Sequence, residues 1–153
     1  MPKITPFLWF DHQAEEAMNL YLSIFKNGKV LNVTRRDGKV FTATFELDGQ
    51  RIMALNAGPL FQFNEAVSFF VDCDTQAEVD EFWEKLTSGG SPSRCGWLKD
   101  KFGLSWQIIP KALIRLMNDP DPKKAQAVME AMLRMNKIII ADLERAHEAA
   151  EAA

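Results

Sequence analysis

Asp11-His12-Gln13-Ala14-Glu15 returns 63 residues further on as Asp74-Thr75-Gln76-Ala77-Glu78, and each copy follows an aromatic, strand-like run. Phe7-Leu8-Trp9-Phe10 stands before the first copy and Val67-Ser68-Phe69-Phe70-Val71 before the second. A stretch of amphipathic-helix character comes after each. Two copies of one supersecondary unit predict a duplicated fold, and a duplicated unit places its ligand site at the seam. A five-residue echo carries weight only if the rest of each unit agrees.

In the first unit, residues 4–10 read as a buried strand. A helix follows over 13–25, with Asp11 or His12 expected as its cap. Its apolar positions Ala14, Ala17, Met18, Tyr21, Ile24 and Phe25 recur every three or four residues, one face of a helix. The period then falls to two. Residues 30–35 and 40–47 read as strands, and in the second Phe41, Ala43, Phe45 and Leu47 take one face and Thr42, Thr44 and Glu46 the other. Asp37-Gly38 and Asp48-Gly49 are hairpin turns, because glycine supplies the positive φ that primed turns need. Residues 51–56 complete a β-α-β-β-β unit.

The second unit repeats that order in shorter form. Residues 67–71 are a strand, and Thr75 with Glu78 makes a capping box. Val79, Phe82, Trp83 and Leu86 mark a helix that Gly89-Gly90 ends. A short strand is expected at 91–93, then a hairpin of 95–99 and 104–109 around Asp100-Lys101-Phe102-Gly103. From Pro110 the character is helical: one helix to Met117, broken by Asn118-Asp119-Pro120, and a second that Asp121 caps and Pro122 starts. Ile138-Ile139-Ile140 is either a short extended segment or the entry to a last helix over 142–153.

A chain of 153 residues holds one domain with a proper core and is too short for two independent ones. Hydrophobic residues at 47% and charged residues at 25% are the balance of a soluble globular protein. A net charge of −3, with no Lys/Arg-rich run, argues against nucleic acid as a partner. The opening residues lack the apolar segment of a signal peptide, and no stretch approaches the ~18–20 apolar residues that span a bilayer. Cys73 and Cys95 form neither a disulfide framework nor a zinc pattern. A reduced, cytoplasmic setting is expected, with no membrane partner.

A paired β-α-β-β-β unit resembles the vicinal oxygen chelate superfamily, the fold of glyoxalase I, bleomycin-resistance proteins and extradiol dioxygenases. Particular segments narrow the likeness: Gln13-Ala14-Glu15-Glu16-Ala17, Ser23-Ile24-Phe25, Ala54-Leu55-Asn56-Ala57-Gly58-Pro59, Phe63-Asn64-Glu65-Ala66-Val67-Ser68, and the run from Cys95-Gly96-Trp97 to Leu104-Ser105-Trp106-Gln107. Together they resemble the PhnB-like group, labelled 3-demethylubiquinone-9 3-methyltransferase domain proteins, over nearly the whole chain, helical tail included. The resemblance implies an α+β fold of two modules, about 3–58 and 64–110, in a domain of residues 1–110. Residues 111–153 form a helical extension that belongs to the same domain or to a dimer interface, and the protein is expected to be a homodimer.

In metal-dependent members of the superfamily, ligands come from the first and last strands of each unit. The resemblance places those seats at Ile4 or Thr5, at Val67 or Ser68, and, with Pro59 aligned on Pro110, at Asn56 and Gln107. None is a histidine or carboxylate, and neutral amides and hydroxyls hold divalent transition metals weakly. His12 and His147 lie at a helix cap and in the tail. Neither a metal nor another cofactor is expected. Methyl transfer in its common fold uses a Gly-rich loop opening a helix, whereas Gly89-Gly90 follows one.

A cleft remains between the modules. Leu104, Trp106 and Ile108 should pack on helices and leave Gln107 for the concave side; by the same alternation Met53 and Leu55 go to the core and Asn56 points into the cleft. Trp97, Phe61 and Phe63 are expected to wall it, with Glu46 as a possible base. Each has a plainer alternative. Asn56 and Gln107 can satisfy backbone groups at strand ends, and Trp97 and Trp106 can be core. Cys95 can be a small buried hydrophobe, Asp100 a turn residue, Glu46 a solvated strand end and His12 a cap. The expected function is metal-free binding of an aromatic or quinone-like small molecule, with Asn56, Gln107, Trp97, Phe61, Phe63 and Glu46 as contacts. The alternatives are an enzyme (isomerase, lyase or transferase, with a metal held by other residues) and a purely structural dimer module.

Overall fold

The computed structural model describes residues 2–152; Met1 and Ala153, the ends of the expected domain and of the expected last helix, lie outside the described residues. The chain divides into two units, Met1–Phe63 and Asn64–Ala153. The first contains β1 (Phe7–Phe10), α1 (Ala14–Ile24), β2 (Lys29–Arg36), β3 (Lys39–Leu47) and β4 (Gln50–Asn56). Its sheet runs β1-β4-β3-β2, with β1 parallel to β4 and the other pairs antiparallel. Asp37-Gly38 and Asp48-Gly49 both have positive φ at each residue, the primed turns that the sequence predicts.

Helix α1 buries Ala14, Ala17, Met18, Tyr21 and Ile24, the face expected from their spacing. The sheet answers with Leu8, Phe10, Ala43, Phe45, Leu47, Ile52 and Ala54. Two expectations fail here. Ile52 and Ala54 are buried while Met53 and Leu55 are half-buried, the reverse of the expected facing of β4. The register explains it: Ile52 pairs with Phe45 and Ala54 with both Ala43 and Leu8, so all lie under the helix. Phe41 also leaves the expected core row. Thr34 pairs with Thr42 but Arg35 pairs with Val40, so Phe41 is the extra residue of a bulge and Val40 is buried in its place. The Phe41 ring lies 4.0 Å from the Arg36 guanidinium.

The second unit repeats the topology with β5 (Ser68–Cys73), α2 (Gln76–Thr87), β6 (Ser91–Pro92), β7 (Trp97–Lys99) and β8 (Ser105–Pro110), in sheet order β5-β8-β7-β6. Thr75 caps α2 by accepting from the Glu78 amide at 3.2 Å, and Glu78 in turn accepts from the Asp74 amide at 2.9 Å. The two parallel pairs fix how the units correspond. Phe10 pairs with Asn56 and Cys73 with Pro110, and Phe10 and Cys73 each immediately precede a repeated pentapeptide. Asn56 therefore answers to Pro110, and Gln107 answers to Met53. Aligning the prolines misplaced the two amides by three residues, an odd number that moves one of them to the opposite face.

The tail forms α3 (Lys111–Met117), α4 (Pro122–Leu133) and α5 (Ile140–Ala152). Ile109, Leu113, Val128, Ile138 and Leu143 make one buried cluster, so the tail is part of the second unit's core. Asp121 caps α4 through the Lys123 amide at 3.0 Å, as read from the sequence. The isoleucine run is the entry to the last helix: Ile140 opens α5, and Ile138 and Ile139 precede it outside any helix or strand. The segment before α5 is tied to the turn that leads into β7: the Cys95 amide donates to Met135 O at 2.8 Å and the Gly96 amide to Asn136 O at 2.7 Å.

Gln76, from the repeated pentapeptide, clamps the same segment. Its Nε2 donates to Ile138 O at 3.0 Å and its Oε1 accepts from the Ile140 amide at 2.7 Å. Beside it, Lys137 Nζ at 2.9 Å and the Gln76 amide hold the Asp80 carboxyl below its ordinary pKa. Gln76→Ala is expected to cost about 1–2 kcal/mol by leaving both backbone groups without their side-chain partner. Amide exchange at Ile140 should quicken with it; unchanged protection would show that the clamp does not hold the tail.

Candidate functional site

Asn56 turns away from the role expected of it. It shares the helix-covered face with Ile52 and Ala54; its Oδ1 accepts from the Ala14 amide at 2.9 Å and its Nδ2 donates to Val40 O at 3.0 Å. Asn56 thus caps α1 from a distant strand, which is why Gln13 at the N-cap makes no side-chain cap bond and neither Asp11 nor His12 is needed there. Both ends of its amide are engaged in holding backbone.

Gln107 sits on the other kind of face. Trp106 and Ile108 are buried toward α2, so Ser105, Gln107 and Ile109 point to the opposite side of β8. In-register neighbours on that side are Ser68 and Phe70 of β5 and Trp97 and Lys99 of β7. Gln107 Nε2 donates to Ser68 Oγ at 2.9 Å. Ser105 is 1% exposed, and its Oγ is the one buried side-chain polar atom without a hydrogen-bond partner among the described residues. Lys99 pairs with Glu65. At the far end of this face, Ile109 is covered by the tail cluster. The face is therefore uncharged at its centre, hydroxyl- and amide-bearing, and flanked by the Trp97 and Phe70 rings.

The remaining candidates lie in the first unit. Phe61 meets Trp9 edge-to-face at 4.9 Å, Phe63 meets Phe10 at 5.2 Å, and Trp9 Nε1 donates to Gly58 O at 2.9 Å. Those contacts fix the linker that carries both phenylalanines. Glu46 lies on the polar face of β3 between Lys29 and Arg51, with Lys29 Nζ at 3.8 Å. Trp106 is core: it packs edge-to-face on Phe69 at 5.2 Å and donates Nε1 to Asp100 Oδ2 at 2.9 Å.

Cys73 is not set up as a nucleophile by its surroundings. Burial, and then the Glu78 carboxylate, push the Cys73 thiol up to about 12. Cys95 is partly accessible in a left-handed turn at φ 60°. Iodoacetamide at pH 8 is expected to label Cys95 while leaving Cys73 intact in the folded protein; equal labelling on mass mapping would contradict the burial. Among the described residues, no three His, Cys, Asp or Glu side chains are grouped so as to hold a metal ion. No helix among them is long and apolar enough to cross a membrane.

Ser68 and Ser105 escaped the sequence reading as ligand contacts. Ser68 entered only as a metal seat, and Ser105 only as a residue on the Gln107 side of its strand, with no role assigned. Alternation within β8 puts Ser105 on the parity of Gln107, and Ser68 joins them only through the β5–β8 register.

Paired β-α-β-β-β units of this order are the vicinal oxygen chelate fold, and solved structures agree. The chain belongs to the 3-demethylubiquinone-9 3-methyltransferase family, whose sequence model matches residues 2–109. A PhnB protein from Bacillus cereus is 36% identical with a TM-score of 0.68, over 71% of this chain and 99% of that one. Protein PA1353 from Pseudomonas aeruginosa is 20% identical with a TM-score of 0.62, over 72% and 98%. The fosfomycin resistance protein FosX from Listeria monocytogenes, complexed with Mn(II) and sulfate, is 13% identical with a TM-score of 0.53, over 69% and 89%. The latter two speak to the fold alone. No curated protein matches. The family match ends at residue 109, in β8, and does not extend to the helical tail.

Proposed function

We propose that the protein binds an aromatic or quinone-like small molecule without a resident metal, as a cytoplasmic homodimer. The observation that carries this is the β5–β8–β7 face, where Gln107 and Ser68 stand uncharged beside the Trp97 and Phe70 rings. Rings give a flat apolar ligand its area, and a few fixed polar atoms orient it. The donor set does not fit a transition metal, because amide and hydroxyl oxygens compete poorly with imidazole and carboxylate. The family's description names a demethylubiquinone, which agrees with a ring-bearing ligand. Trp97 and Gln107 are the contacts we favour, ahead of Phe61, Phe63 and Glu46; Asn56 is a helix cap.

The dimer is supported by apolar side chains left exposed at equivalent places of the repeat. Ile4 and Val67 are 86% and 65% exposed, and Phe7 and Phe70 are each 51% exposed. Sedimentation at micromolar concentration should give twice the chain mass. For the ligand, a thermal-shift screen of metal-stripped protein against aromatic and quinone compounds should raise the melting temperature with some of them. Silence across that panel overturns the binding reading, and stoichiometric metal that survives dialysis overturns the metal-free one.

A further inference from the structure

We propose that the helical tail is an oxidation-sensitive latch: Met117, Met132 and Met135 hold it on the second unit as thioethers and release it as sulfoxides. The latch is independent of the ligand reading and would work with or without a bound molecule.

Methionine is concentrated where the tail docks. Four of the chain's seven methionines, Met117, Met129, Met132 and Met135, fall within residues 117–135. Three of them rim the cluster of Ile109, Leu113, Val128, Ile138 and Leu143. Met117 ends α3, Met132 lies in the last turn of α4 and Met135 follows that helix, each partly buried against the cluster. Partial burial is the condition a latch needs. A covered sulfur, such as that of Met18 at 3% exposed, is shielded from an oxidant. A sulfur outside the cluster, such as that of Met129 at 40% exposed, reacts without loosening anything.

The step is a two-electron oxygen transfer from a peroxide. The thioether sulfur attacks one oxygen of hydrogen peroxide and the O–O bond breaks. The departing hydroxide takes the proton of the transferred oxygen and leaves as water, so the peroxide is reduced as the sulfur becomes a sulfoxide. A flexible apolar side chain is thereby made polar. Against Leu113, Val128 and Leu143 the new oxygen meets only hydrocarbon, and burying it without a hydrogen bond is unfavourable. Each sulfoxide therefore turns its side chain toward water and gives up its packing. Few other ties hold the segment between α4 and α5. Met135 O takes the Cys95 amide, Asn136 O takes the Gly96 amide, and the Gln76 side chain holds Ile138 and Ile140. The first of these ties belongs to a latch methionine, so turning Met135 outward pulls on the bond that joins the tail to the entry of β7.

Full-length protein would be treated with hydrogen peroxide, with the oxidation of each methionine followed by peptide mass. Melting temperature and amide exchange are read on the same samples. Cys95→Ser serves as the background, which removes the accessible thiol and keeps the backbone tie to Met135. Met129 should oxidise first and change neither reading. Sulfoxide at Met117, Met132 and Met135 should lower the melting temperature by about 5 °C or more and quicken exchange at Ile140 and Gly96 about tenfold. The Ala14 amide, held by Asn56 in the first unit, should keep its protection. Methionine sulfoxide reductase should restore both readings. Met117→Leu, Met132→Leu and Met135→Leu together should keep the starting stability and abolish the response, because leucine supplies similar volume without an oxidisable sulfur. If that variant folds poorly, reversal by the reductase and the confinement of faster exchange to the tail still decide the matter. Unchanged Ile140 protection with all three oxidised, a response that persists in the leucine variant, or Met18 reacting as fast as the three would each overturn the latch.

Discussion

Asp100→Ala is expected to lower the unfolding free energy by about 3 kcal/mol, enough to leave a domain of this size marginal. The carboxylate is 2% exposed and works as a three-way acceptor. Oδ1 takes the Phe102 amide at 2.9 Å and the Leu104 amide at 3.0 Å, and Oδ2 takes the Trp106 indole N–H at 2.9 Å. The Oδ1 bonds close the β7–β8 turn, and the Oδ2 bond ties that turn to Trp106, the largest fully buried side chain. Alanine would strand three donors at once, two of them buried, and each buried one left stranded costs roughly 1–3 kcal/mol, less than additively because the turn relaxes. The sequence reading of Asp100 as a turn residue was right as far as it went. Its second oxygen, reaching Trp106, makes the turn part of the core. Asp100→Asn should fall between the two, since its one carbonyl oxygen can serve the turn or the indole but not both. Urea unfolding followed by tryptophan fluorescence reads the difference; a loss under about 1 kcal/mol for the alanine variant would mean water replaces the carboxylate and the site is not closed.

What could be read ahead of the structure was local. Period-three and period-two runs, the Asp-Gly turns and the Thr75–Glu78 box are decided by residues within a turn of each other, and the element order followed from them. Facing in β4 was not local. It was carried over from the last strand by aligning Pro59 on Pro110, but Asn56 is taken by the Ala14 amide, 42 residues away. The Phe41 bulge likewise depends on pairing with β2, which alternation within one strand cannot reveal. Gln107 and Trp97 came out together on one face because alternation in β8 and the β7–β8 hairpin are short-range facts. Ser68 joins them only through a parallel pairing across 39 residues, which lay beyond any local pattern.

The glycine pair that ends α2 separates two physical roles that look alike in sequence. Gly89 has φ +76°, a left-handed conformation that an alanine adopts at a cost of about 1–2 kcal/mol. Gly90 has no such angle; what it has is a neighbour. A Cβ there would stand 2.1 Å from Lys99 O and 2.6 Å from the carbonyl carbon of Asp100, both backbone atoms of the strand and turn that carry the Asp100 network. A side chain can swing away from such a clash, whereas a backbone carbonyl held in a sheet cannot. Gly90→Ala should therefore push β6 off β7, breaking the Ser91–Lys99 pairing, at about 3 kcal/mol or more. Gly89→Ala, one residue earlier, should cost less than half as much. The order matters more than the sizes: a helix stop that acted only through chain reversal would make Gly89 the sensitive position. Urea midpoints of the two variants side by side decide it, and equal losses would mean that β6 sits further from β7 than a direct backbone contact allows.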